Sequence, residues 1–185
     1  MGMQDEEYMR QLSLGIDSAF DILVFRYHKP LFGYVYRLLN DEKLAEDIVQ
    51  ETFLKIYQQG QKGFIPDQFK PWMYKIATNT CKDYWRKPVS RLEYVTDKDL
   101  KAKEQVYQII DHQLERQWMV ESLNKLSMDY RTVLYLRFYQ DLKYTEIALA
   151  LDISINTVKT RIARGLKQLG NILAEDERKG VEENK

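Results

Sequence analysis

The sequence predicts an all-α protein: two small helical domains joined by a charged flexible linker, the second containing a helix-turn-helix. Three observations carry this. Apolar residues recur in three- and four-residue steps through most of the chain, the period of a helix with one buried face. Only 8 Gly and 4 Pro occur in 185 residues, too few for the frequent turns of an all-β fold. Between Val89 and Val106 the periodicity lapses into a stretch rich in Asp, Lys and Glu (RLEYVTDKDLKAKE), which reads as a linker. The expected divisions are 1–88 for the first domain, 89–106 for the linker, 107–174 for the second domain and 175–185 for a disordered polar tail.

In chain order, residues 5–14 and 17–27 read as helices, with Asp17 as N-cap and Phe20, Leu23, Val24 and Tyr27 as a stripe. Pro30 marks a break, after which Leu31 to Leu39 resumes a helix with Tyr34, Val35, Leu38 and Leu39 inward. Asn40 and Asp41 are turn or cap residues. Glu42 to Gln58 is strongly amphipathic: Leu44, Ala45, Ile48, Val49, Thr52, Phe53 and Ile56 face inward, and Glu46, Asp47, Gln50, Glu51 and Leu54 face outward. A solvated acidic face would account for those charges. Leu54, with Tyr57 nearby, adds apolar surface among acids, which suits a protein-docking site.

Gly60, Gly63 and Pro66 make Gln59 to Gln68 a loop. In the next segment, FKPWMYKIATNTCKDYWRKP, Pro71 suits a first helical turn and Pro88 ends the helix. Met73, Ile76, Ala77, Thr80, Cys81 and Tyr84 form the inward stripe. Trp72, Tyr74, Lys75, Asn79, Lys82, Trp85 and Arg86 are left on or near the outside. Rings interleaved with cations suit a melted strand, whose bases stack while its phosphates are held. Tryptophans that merely cover the core would give the same pattern.

Apolar spacing returns from Tyr107 to Leu126. Ser127 or Asp129 then caps a helix from Tyr130 to Tyr139. A short run, Tyr144 to Leu151, a tight connection, Asp152 to Ser154, and a long run, Ile155 to Leu173, follow. In the long run Ile155, Val158, Ile162, Leu166, Leu169 and Leu173 form one stripe, and Ser154 is its N-cap. Asn156, Thr160, Ala163 and Lys167 fall opposite, flanked by Thr157, Lys159 and Arg164, with Arg161 nearer the apolar edge. Short donors and cations, with no acid from Ile155 to Ile172, suit a helix lying in a DNA major groove. An ordinary αα-hairpin with a solvated basic face shares this spacing.

Composition narrows the class. Hydrophobic residues make up 44% and aromatics 12%, enough for packed cores. The acidic start, MGMQDEEYMR, lacks the zones of a signal peptide, and no run approaches a membrane span, so a cytoplasmic protein is expected. A single cysteine, Cys81, rules out an intrachain disulfide framework and a cysteine zinc cluster. His28 and His112 are isolated and read as surface or packing residues, and Cys81 as a small core residue. No catalytic residue, cofactor or metal is expected.

Net charge is +0, from 28 basic and 28 acidic residues, but the signs segregate. Lys70, Lys75, Lys82, Arg86, Lys87 and Arg91 cluster against Asp83 alone, while Asp41, Glu42, Glu46, Asp47 and Glu51 cluster against Lys43 and Lys55. Patches of opposite sign suit different partners.

Three strings in one order resemble the bacterial RNA polymerase sigma factors of the sigma-seventy family, in its compact extracytoplasmic-function (ECF) group. LAEDIVQETFLKIY (Leu44 to Tyr57) is similar to the family's polymerase-docking helix, with Asp47, Gln50, Glu51 and Phe53 at its spacing. KPWMYKIATNTCKDYWRK (Lys70 to Lys87) is similar to its promoter-opening segment through Pro71, Trp72, Ala77, Asn79, Asp83 and Arg86. The stretch from Leu126 through Leu169, with TVKTR at 157–161, resembles its second domain.

The resemblance implies a non-enzymatic factor, monomeric when free, that binds core RNA polymerase and directs promoter-specific initiation. Docking on the β′ subunit would use Asp47, Gln50, Glu51, Phe53 and Leu54. The melted non-template strand of the −10 element would meet Pro71, Trp72, Tyr74, Lys75, Asn79, Lys82, Asp83 and Arg86. The −35 duplex would meet Asn156, Thr157, Lys159, Thr160, Arg161, Arg164 and Lys167, with the second domain also touching the β flap. An anti-sigma factor is the implied inhibitor. Two departures stand out: Pro88 directly after Arg86 and Lys87 shortens the opening helix, and Ala163 occupies a place where a polar reader could stand. A stand-alone helix-turn-helix regulator and an antagonist imitating a sigma domain are the competing readings. The first needs no docking helix, and the second predicts loss of Lys159, Arg161 and Arg164, which are all present.

Overall fold

The computed structural model describes residues 3–86 and 113–182, and all regular structure among them is helical. The helices are α1 (Asp5–Ser13), α2 (Ser18–Leu39), α3 (Glu42–Gln61), α4 (Phe69–Arg86), α5 (Gln113–Asn124), α6 (Met128–Phe138), α7 (Tyr144–Leu151) and α8 (Ile155–Glu182). The linker 89–106, Pro88, His112 and the expected helix start at Tyr107 lie outside the described residues.

The first four helices pack around a shared apolar centre. In α1, Met9 and Leu12 are fully buried against the end of α3. The break expected at Pro30 is absent: α2 runs unbroken for 22 residues. Proline removes one helical hydrogen bond, but its ring faces solvent. Leu23, Tyr27, Leu31, Tyr34, Val35 and Leu38 bury one ridge on both sides of it, which holds the two halves in line. Asn40, left-handed at φ 55°, ends the helix.

Asp41 then caps α3, its carboxylate accepting the Leu44 N–H at 2.9 Å. Asp17 takes no cap bond, contrary to expectation. It is already helical and instead accepts from the Tyr57 hydroxyl (3.0 Å) and Gln61 Nε2 (3.1 Å), fastening α2 to α3. The N-terminus of α4 is capped from far away in sequence, the Phe69 N–H donating to Glu6 Oε1 at 2.7 Å. Cys81 is a buried free thiol, as expected; burial pushes it up to about 12.

In the second half, α6 begins two residues earlier than expected, and Ser127 holds the N-cap position without a side-chain bond. Helix α7 has the expected bounds, begun by Glu146 accepting the Lys143 N–H (2.5 Å) and ended by left-handed Asp152. Ser154 caps α8 as expected, accepting the Thr157 N–H at 3.0 Å. The buried stripe of α8 differs from the expected one. Val158 and Ile162 are buried, but Ile155 and Leu166 are exposed, and Gly165 is buried in place of Leu166. A Cβ on Gly165 would lie 3.2 Å from Tyr130 and 3.3 Å from Leu134, so a missing side chain is what lets α8 approach α6. The expected disordered tail is helical through Glu182; Asp176 accepts from Lys125 at 2.7 Å, tying it to the end of α5.

The two halves meet. Helix α7 lies along α4, and α2 touches α6, so that the buried side chains form one continuous cluster.

Candidate polymerase and nucleic-acid surfaces

On α3 the inward stripe fixes which side chains face out. Glu46, Asp47, Gln50 and Glu51 are exposed, and Leu54 is 55% exposed among them. Glu51 pairs with Lys55 at 2.7 Å. The result is an acidic ridge around one large aliphatic side chain, which would seat a partner with a matching basic and apolar surface. Phe53 does not belong to it. Only 6% exposed, it meets Phe20 edge-on (6.2 Å) and lies parallel to the His28 ring (6.3 Å), so it sets the helix in place and offers nothing outward.

On α4, Asn79, Asp83 and Trp85 are exposed, and Lys82 is half-buried. Trp72 is half-buried between the rings of Phe64 (5.2 Å) and Phe69 (6.2 Å), and Phe64 itself is exposed. Together Phe64 and Trp72 form an aromatic shelf at the entry to α4. Phe64 lies in the loop before the helix, where the sequence offered no periodicity to single it out. The Arg86 side chain lies outside what the structure describes.

Tyr74, expected outside, is fully buried. Its ring meets Tyr34 edge-on at 5.0 Å, and its hydroxyl donates to Gln140 Oε1. Burial holds its ionisation far above the usual tyrosine range. Pro71 is also buried, Lys70 donates to the Gln140 carbonyl at 2.7 Å, and Lys75 lies 3.6 Å from Asp152. Part of the face expected to be free is thus turned toward the second half of the chain. Helical spacing within α4 could not reveal a partner more than 60 residues away.

On α8, Asn156, Lys159, Thr160, Ala163, Arg164 and Lys167 are exposed and contiguous. Thr157 is drawn into the cap, its hydroxyl 2.8 Å from that of Ser154. Arg161 donates to Asp129 at 2.7 Å, which ties α8 to the start of α6 and turns the guanidinium away from the open face. The open face carries three cations and no acid, and each of its residues is exposed. This is the arrangement for a rod that enters a groove lined with phosphates.

No described helix is long and apolar enough to cross a membrane. Comparison with known proteins gives a consistent result. Residues 23–90 match the profile "Sigma-70 region 2" and residues 116–169 the profile "Sigma-70, region 4". The ECF RNA polymerase sigma factor SigW of Bacillus subtilis is 32% identical over 182 residues, spanning 91% of this chain and 96% of that protein. The RNA polymerase sigma-H factor of Pseudomonas aeruginosa is 29% identical over 184 residues, spanning 92% and 94%. Among solved structures, CnrH in complex with the cytosolic domain of CnrY superposes with a TM-score of 0.71 at 25% identity, covering 93% of this chain and 98% of that one. The fold is also that of RpoE from Bartonella quintana, solved with the anti-sigma factor NepR (TM-score 0.64, 22% identity, 84% and 96% covered).

Proposed function

Because the chain belongs to the sigma-70 family of RNA polymerase sigma factors, in its ECF group, we propose that its three surfaces divide promoter selection among them. A member of this family is a transcription initiation factor and not an enzyme. The acidic ridge of Glu46, Asp47, Gln50, Glu51 and Leu54 docks on the β′ subunit of core polymerase, in the cytoplasm. The α4 face takes the melted non-template strand of the −10 element, its bases meeting Trp72, Phe64 and Trp85 and its phosphates Lys82. Asn156, Lys159, Thr160, Arg164 and Lys167 read the −35 duplex, and the same half touches the β flap. On this reading residues 1–88 and 107–174 act as separate domains, with 89–106 spanning between them.

The carrying observation is the segregation of charge on exposed faces: acids around Leu54 on α3, and an acid-free basic face on α8. A chain that met only DNA would have no use for the first. The solved complex of CnrH with the cytosolic domain of CnrY supports a further element, an anti-sigma factor that holds this protein away from polymerase. Run-off transcription with purified core polymerase on a promoter library tests the whole reading. The expected result is promoter-specific transcripts only when this protein is added. Tight duplex binding by the protein alone, unaltered by core enzyme and with no transcripts, would overturn it in favour of a stand-alone regulator.

A further inference from the structure

Helix α1 lies outside the three surfaces, yet it is tied to the helix that carries one of them. Its first turn holds three consecutive acids, each engaged differently. The Asp5 carboxylate accepts from the Tyr27 hydroxyl and from the Arg26 guanidinium, both on α2. Glu7 pairs with Arg10 at 3.1 Å within α1. Half-buried Glu6 reaches across to α4, where its Oε1 accepts the Phe69 N–H at 2.7 Å. Further along α1, Met9 and Leu12 are buried against the last turn of α3. Anchored to α2 and α3 in this way, α1 holds the Glu6 carboxylate in one place, and the first turn of α4 is hung from it.

The residue that Glu6 bonds is where the aromatic shelf begins. Phe69 is fully buried, its ring 5.3 Å from that of Tyr27 and 6.2 Å from that of Trp72. Trp72 in turn lies 5.2 Å from exposed Phe64. The four rings form one run from the α2 core to the surface, so a shift of Phe69 is passed to the two outer rings. A binding side chain has to be held to within about 0.5 Å by the groups behind it. A helix leaves its first N–H groups without partners, and Pro71 brings none to this turn, so the bond at Phe69 is a large share of what can fix it. A carboxylate also suits the positive end of the helix.

We infer that Glu6 is a positioning residue for strand capture: by capping α4 at Phe69 it sets the tilt of the Phe64–Trp72 shelf on which a base of the opened strand stacks. The inference rests on the assignment of α4 to the melted strand. It makes α1 a determinant of promoter opening, through a side chain that belongs to none of the three surfaces.

The test uses holoenzyme assembled from core polymerase and the full chain. Fluorescence anisotropy reports binding of a single-stranded oligonucleotide carrying the −10 non-template sequence, and a separate titration reports core binding. Glu6→Ala removes the cap, whereas Glu6→Gln keeps an oxygen that can accept the Phe69 N–H. The expected result is a several-fold loss of oligonucleotide affinity in Glu6→Ala, affinity close to the parent's in Glu6→Gln, and core binding unchanged in both. Glu6→Ala should cost nothing further once Trp72→Ala is present; a Glu6 that only stabilised the fold would give additive losses. A second readout needs no DNA. In free protein with Trp85→Phe and Trp118→Phe, acrylamide should quench Trp72 more strongly after Glu6→Ala and no more strongly after Glu6→Gln.

Unchanged quenching in Glu6→Ala, or additive losses with Trp72→Ala, would overturn the inference while leaving the α4 assignment in place. An oligonucleotide affinity that Trp72→Ala does not alter would refute the α4 assignment itself, and the capture role of Glu6 would fall with it even where quenching shows that Glu6 holds the shelf.

Discussion

Gly60 occupies the last turn of α3, where α1 crosses it. A Cβ built there would lie 2.4 Å from Leu12 Cδ2, 3.0 Å from Leu12 Cγ and 3.3 Å from Met9 Cε. Both neighbours are fully buried, so neither can swing into solvent. Gly60→Ala therefore sets two effects against each other. Alanine gains up to about 1 kcal/mol over glycine in a helix, and less near a helix end. Forcing one carbon into a filled core costs about 1–3 kcal/mol. The net expectation is a loss of about 1 kcal/mol, which in a chain of this size lowers Tm by about 2–4 °C. Gly170 is the internal control, because it is exposed in α8 with nothing within 4 Å of its built Cβ. Gly170→Ala keeps the propensity gain without the clash and should stabilise by about 0.5–1 kcal/mol. Thermal melts of both variants measure the difference. If Gly60→Ala were stabilised as much as Gly170→Ala, the packing of α1 on α3 described above would be wrong.

Three other perturbations separate the surfaces. Asp47→Arg with Gln50→Ala should weaken core-polymerase binding about tenfold or more, as truncating interface anchors does, measured by fluorescence titration, and leave Tm within about 1 °C because both positions are exposed. Arg164→Ala with Lys167→Ala should spare core binding, lower promoter selectivity and flatten the salt dependence of holoenzyme binding by a slope of about 2 for two lost phosphate contacts. Alkaline pH should destabilise the fold through Cys81, whose thiol rises from an ordinary value of 9.0 to about 12 when buried. Its protonated form is favoured in the folded state, so the stability is fully present below pH 9 and is lost as pH rises toward 12. The loss is at most about 1.4 kcal/mol per pH unit from this group, and buried Tyr34 and Tyr74 act in the same direction. A Tm that holds steady from pH 9 to 11 would contradict it.

What was legible in the sequence followed from periodicity within one helix. The inward residues of α3 and the bounds of α7 were visible because burial there is decided by helical spacing. Failures came where another element intervened. Pro30 has the local signature of a break, yet the buried ridge through Leu31 and Tyr34 outweighs one missing hydrogen bond. Leu166 has the right spacing for the core of α8, but a glycine one position earlier draws the α6 contact to its own side. The resemblance implies a reading role for Arg161, whereas helical spacing sets it nearer the apolar edge; that Asp129 holds it depends on how α6 crosses α8. Tyr74 and Gln140 are 66 residues apart in the chain, and neither carries any local sign of the other.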